Sequence, residues 1–135
     1  MTLAANAFQS AIYTRLASQL GATPIYDFVP QSSSFPYVVI GADTAIPADT
    51  KSNDGQEFTS TIHVWGKGAG RKSVKTLMQS VYAALHHQET AITVTGYSLV
   101  LIRCEYSETL QEQGAEGDTD HYYHGVMRFR ALVKN

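Results

Sequence analysis

The sequence predicts an α+β fold, with a mostly antiparallel sheet of about four longer strands packed against two helices and long loops projecting from it. Three observations carry this reading. Residues 59–65 alternate in the manner of a strand, with Phe58, Ile62 and Val64 on one face and Thr59, Thr61, His63 and Trp65 on the other. A helix from Arg71 follows, with Val74, Leu77, Met78, Val81 and Leu85 on a single stripe. Two later stretches, 97–106 and 122–133, alternate with period two, so the chain returns to strands after the helix. A greasy strand face and a greasy helix stripe each need a cover, and each can cover the other.

In chain order, the first element is a helix with Leu3, Ala4, Ala7, Phe8, Ala11, Ile12, Leu16 and Leu20 on one side. Gly21 ends it, and Thr23-Pro24 reinforces the stop because proline lacks an amide hydrogen. Residues 25–29 form a short extended segment. Tyr37-Val38-Val39-Ile40-Gly41 is apolar on both faces, as an interior strand would be, and runs on to Ala45 or Ile46. Residues 47–56 read as a polar loop too long for a tight hairpin. His86-His87 close the second helix, where cationic or polar groups suit free carbonyls.

Further on, Val100, Ile102, Cys104 and Tyr106 are expected on one strand face, with Leu101, Arg103 and Glu105 on the other. The last strand turns Met127, Phe129, Ala131 and Val133 one way and Val126, Arg128, Arg130 and Leu132 the other. Between these strands, residues 107–120 read as a long acidic loop, since half of the chain's 12 acids fall in the window 105–120. No internal repeat or second domain interrupts residues 1–135.

Composition narrows the function classes. A chain of 135 residues buries about two-thirds of its unfolded surface as one domain. A formal net charge of −2 exerts no global pull on nucleic acid or anionic membrane. No apolar run approaches the ~20 residues that span a bilayer, and the amino terminus lacks the basic and apolar regions of a secretory signal. A single cysteine excludes an internal disulfide and fits a reducing compartment such as a cytoplasm.

No catalytic set, cofactor site or metal site is expected. Gly66, Gly68 and Gly70 match neither the phosphate-loop nor the dinucleotide spacing, so a nucleotide-binding enzyme is the weaker reading. His86 and His87 cannot share a helical face, His121 and His124 point to opposite strand faces, and His63 has no ligand partner nearby in sequence. Cys104 reads as a small buried apolar group. One charge feature stands out, because Lys67, Arg71, Lys72 and Lys75 place four of ten basic residues within nine positions. Three of them fall in the first helical turns, where the macrodipole disfavours cations. Candidate assembly contacts are therefore these four, Asp49, Lys51 and Asp54 of the first polar loop, and Glu108, Glu112, Glu116 and Asp118 of the acidic one.

The order of several short motifs resembles a known family. They are Ile25-Tyr26-Asp27-Phe28-Val29-Pro30, Phe35-Pro36-Tyr37-Val38-Val39-Ile40-Gly41, His63-Val64-Trp65 with Gly70-Arg71-Lys72, and the closing His124-Gly125-Val126-Met127-Arg128-Phe129-Arg130-Ala131. Together they resemble the tail completion, or tail terminator, proteins of long-tailed phages, prophages and gene transfer agents. The resemblance implies a structural virion protein forming a hexameric ring at the head-proximal end of the tail tube. Such a ring stops tube polymerisation and joins the tube to the head connector. DNA passes through its channel without sequence-specific binding, and no membrane is involved. Another neck or minor tail adaptor is the alternative within the same class.

Overall fold

The elements run α1 (Ala5–Gln19), β1 (Ile25–Tyr26), β2 (Tyr37–Pro47), β3 (Gly55–Lys67), α2 (Lys72–Leu85), β4 (Ser98–Gln113) and β5 (His121–Lys134). This computed structural model describes residues 3–30, 34–68, 71–113 and 121–135. The strands form one sheet in the order β1-β2-β3-β5-β4, parallel between β1 and β2 and antiparallel elsewhere. After β3 the chain crosses over α2 to the far edge, and β5 returns to fill the gap between β3 and β4.

The period-two pattern decides which face the helices cover. Phe58, Ile62 and Val64 of β3 and Met127, Phe129, Ala131 and Val133 of β5 are buried beneath them. α1 contributes Phe8, Ala11, Ile12 and Leu16, and Phe8 stacks on Phe58 at 4.6 Å between ring centroids. α2 buries Val74, Met78, Val81, Ala84 and Leu85, while Leu77 of the expected stripe is only half-buried against the core. Leu3, expected on the packed side of α1, is 76% exposed.

Four boundaries differ from the sequence reading. The extended segment at 25–29 keeps only two residues in the sheet, and Phe28 is exposed. The polar loop shrinks to residues 48–54, because Gly55 and Gln56 already belong to β3 and are buried. Gln56 is buried because its side-chain oxygen accepts the Ala4 amide at 3.1 Å, one of the unpaired donors at the start of α1. The loop is also folded on itself. Ala48 N–H donates to the Gly55 carbonyl at 2.9 Å, and Asp49 Oδ1 accepts the Gly55 amide at 2.9 Å.

The acidic loop changes most. Residues 107–113 continue β4, paired with β5 from Ser107↔Met127 to Gln113↔His121, and residues 114–120 lie outside the described set. Pairing with a strand that is half apolar supplies the backbone partners that polarity alone concealed. β4 also carries register shifts between Leu99 and Leu101 and between Cys104 and Tyr106. Each extra residue turns the following side chains to the opposite face. Val100 and Tyr106 are therefore exposed, and the expected shared face of Val100, Ile102, Cys104 and Tyr106 is not formed. Cys104 is half-buried, and burial pushes its thiol up from the ordinary value.

Candidate functional site

The basic residues divide between two sides of one end of the sheet. Lys67 closes β3 with its ammonium 5.9 Å from the Tyr122 ring. Arg71 lies just before α2, with its guanidinium 5.5 Å from the Tyr123 ring. Lys72 and Lys75 are exposed, and with Arg71, Thr76, Gln79 and Ser80 they line an open groove along α2. The first turn of α2 contains no acid, so the cations there face the positive end of the helix dipole uncompensated.

The acids Glu108 and Glu112 sit on β4 near the same end. Tyr122 pairs with Lys67 on one side and with Glu112 on the other, so opposite charges flank one strand of this chain. Glu108 accepts the Tyr106 hydroxyl, and that hydrogen bond raises the phenol's pKa. Glu116 and Asp118 lie outside the described residues. Asp49, Lys51 and Asp54 occupy the short hairpin at the opposite end of the sheet, where Asp54 accepts the Asn135 amide through its carbonyl at 3.1 Å. The two expected contact regions therefore occupy opposite ends of the sheet.

Cross-strand pairing also creates a constellation that sequence spacing missed. His63 stands beside His124 on the face without helices, with Nδ1 and Nε2 2.7 Å apart. His124 Nδ1 reaches Glu112 at 3.3 Å, and its ring stacks on Trp65 at 3.9 Å. A carboxylate only accepts, so His124 donates to Glu112 from Nδ1, and His63 Nδ1 and His124 Nε2 share one hydrogen between them. Burial, and next the neighbouring His124, lowers the His63 pKa. The signal for this cluster lies in strand order, since β5 is next to β3 only because the chain crosses over.

A pH dependence follows from that geometry. A histidine whose folded pKa lies below its unfolded value of 6.5 binds protons more readily when unfolded. Stability is then lost as pH falls from 6.5 toward the folded value, with no further loss from His63 below it. Trp65 is the only tryptophan, so its emission reports the stacked ring directly. We expect that emission to change on acidification below pH 6.5, with the step absent in His124→Phe. A pH-independent emission in the parent protein would show that the pair does not break.

Nothing among the described residues assembles a nucleophile with a base. The remaining ion pairs are structural: Arg103 binds Glu89 at 3.0 Å, and Arg130 bonds Glu57 across the sheet. The cleft between α1 and residues 91–95, about 380 Å³, is lined by Ala7, Ser10, Thr14, Ile92, Thr93 and Arg15 among others. Arg15 is engaged there with the Ala84 carbonyl at 2.8 Å. No group of three or more His, Cys, Asp or Glu side chains able to hold a metal occurs among the described residues.

Comparison with known proteins covers nearly the whole chain. Residues 10–134 match the family described as tail completion protein gp17. A curated relative, the tail completion protein gp17 of Bacillus phage SPP1, is 28% identical over 98% of this chain and 96% of its own length. A chain from the virion of a native gene transfer agent particle superposes with a TM-score of 0.81 at 23% identity, covering 100% of both chains. A further solved chain, 16% identical over 96% of each, shares the fold more loosely with a TM-score of 0.53.

Proposed function

This chain belongs to the tail completion protein gp17 family, and from that membership we propose that it forms a closed ring, sixfold by analogy, on the head-proximal end of a tail tube. Membership makes it a structural component of a phage or gene-transfer-agent particle, not an enzyme. The ring stops tube growth and presents the surface that joins the head connector, with DNA passing through its channel. The observation that carries this reading is the family match across residues 10–134.

The charge layout supplies the physical support. A head-to-tail interface with a closing rotation generates a ring from one repeated contact. Arg71, Lys72 and Lys75 are exposed, so their charge is available to an acidic surface on a neighbour or on the tube end. Exposed ion pairs are individually weak and salt-screened, so the tube end acts as a template for assembly.

Replacing Arg71, Lys72 and Lys75 together with glutamate tests this. The monomer keeps its fold, as read by circular dichroism, because none of the three is buried. Particles made with this variant are expected to have tails of uncontrolled length or tails unjoined to heads. Normal tails on heads would remove the basic set from the assembly contact. Locating the subunit by electron microscopy separates a terminal ring from a neck or minor tail adaptor.

A further inference from the structure

The sheet has four half-edges, and they are not equally protected. The first half of β2 is covered by β1, with Val38 N–H donating to the Pro24 carbonyl at 3.0 Å and Ile25 paired with Val38. The first half of β4 is covered by the end of α2. There His87 N–H donates to the Ile102 carbonyl at 3.0 Å, and Cys104 N–H donates to His86 Nδ1 at 3.0 Å. Both histidines lie at the end of α2 and just beyond it, and His87 adopts a positive φ of 59° to make its contact.

The other two halves have no such cover among the described residues. Residues 42–47 of β2 are all exposed, and beyond the register shift between Ile40 and Asp43 residues 43–47 pair only with β3. Beyond the shift at residue 105, residues 107–113 of β4 pair only with β5. The outward backbone groups follow from the pairing. Cys104 points its N–H away from β5, so after one inserted residue the outward positions become Ser107, Thr109, Gln111 and Gln113. The same count from Val38 through the shift in β2 gives Asp43, Ala45 and Pro47. An unpaired edge of this kind is a template for another strand.

We infer that these two free half-edges pair with each other between neighbouring copies, β4 of one subunit adding antiparallel to β2 of the next. This deepens the ring reading and rests on it. Three observations favour a second copy as the occupant. β2 and β4 run antiparallel within the sheet, so copies in the same orientation meet with opposite strand directions, as an antiparallel ladder requires. The three outward positions of β2 each find a partner among the four of β4. Starting the ladder with Pro47 against Ser107 pairs Ala45 with Thr109 and Asp43 with Gln111, leaves Gln113 beyond the shift in β2, and keeps like charges apart, since Glu108 and Glu112 then oppose Ile46 and Ala42. Pro47, which has no N–H to give, ends the ladder there. The free halves lie at opposite ends of the sheet, so successive copies are staggered along the strands, as strands are in a closed barrel.

The test is a disulfide trap on a Cys104→Ser background carrying Ala45→Cys and Thr109→Cys. Hydrogen-bonded partners in an antiparallel ladder have Cα atoms about 5.5 Å apart, within disulfide reach. Particles assembled with this variant and mildly oxidised are expected to give a ladder of covalent oligomers on a non-reducing gel, whereas each single variant gives none. Monomer alone from particles that contain the variant overturns the pairing. If microscopy shows a ring in those same particles, only the pairing fails and the ring reading stands; a different stoichiometry there sinks the ring reading instead. Should the cysteines block incorporation, Thr109→Pro decides. Its outward N–H is not used within the subunit, so the fold survives, as circular dichroism would show, and exclusion from particles is expected. Incorporation of Thr109→Pro at the parental level overturns the pairing.

Discussion

Phe58→Ala is expected to lower stability by about 3–5 kcal/mol, the range for removing a buried phenylalanine. Phe58 is fully buried in β3 and stacked on Phe8 at 4.6 Å with 12° between the ring planes. Its ring stack is one of the contacts that join α1 to the sheet. Its cross-strand neighbours are small, Ala45 on β2 and Ala131 on β5, so neither can expand into the space left behind. The cavity therefore persists, and its cost adds to the lost burial. Domains of this size are stable by roughly 5–15 kcal/mol in total, so the variant should be marginal at physiological temperature. Urea unfolding measures the loss. A shift under ~1 kcal/mol would mean that Phe8 and its helix repack without this ring.

The same residue shows what could be read in advance. Phe58, Ile62 and Val64 against Thr59, Thr61 and His63 is a period-two pattern that leaves one choice of buried face, and the structure makes that choice. The stripe on α2 was legible for the corresponding reason at period 3.6, apart from half-buried Leu77. Both signals are local, and both depend on one face being much more apolar than the other.

What was not legible depended on the identity of the partner strand. Residues 107–113 are polar, and in isolation polarity reads as loop. They are strand because β5 lies alongside and satisfies their backbone. The shifts at Val100 and Glu105 leave no mark on composition, yet they send Tyr106 to the exposed face. His63 looked solitary among threonines because its partner, His124, is 61 residues away. Gln56 looked like loop because the donor it satisfies belongs to α1. Of the candidate contacts, Lys67 lies at the end of β3, Arg71 just before α2, and Lys72 and Lys75 in its first turns. Asp49 also holds its own hairpin closed by accepting the Gly55 amide.

Gly66→Ala is expected to cost roughly 1–3 kcal/mol, as overpacking does, and to lose much of that cost when Val74 is also shortened to alanine. The two glycines beneath α2 are Gly66 on β3 and Gly125 on β5, and together they let the helix approach the sheet closely. A Cβ at Gly66 would lie 2.5 Å from Val74 Cγ2, and one at Gly125 would lie 2.5 Å from Met78 Sδ. The distances are equal, but the obstacles differ. Valine is branched at Cβ and is held to essentially one rotamer in a helix, so its methyl cannot swing aside. Methionine has three rotatable bonds, and its thioether can move. Gly66→Ala should therefore cost more than Gly125→Ala. Relief by Val74→Ala is the sharper measure, because a direct clash predicts a coupling of roughly 0.5–3 kcal/mol in the double-mutant cycle. Val74 alone, fully buried, loses its own burial when shortened, so the double variant does not regain the parental stability. Strict additivity of the two changes in urea unfolding would show that α2 is not seated on Gly66.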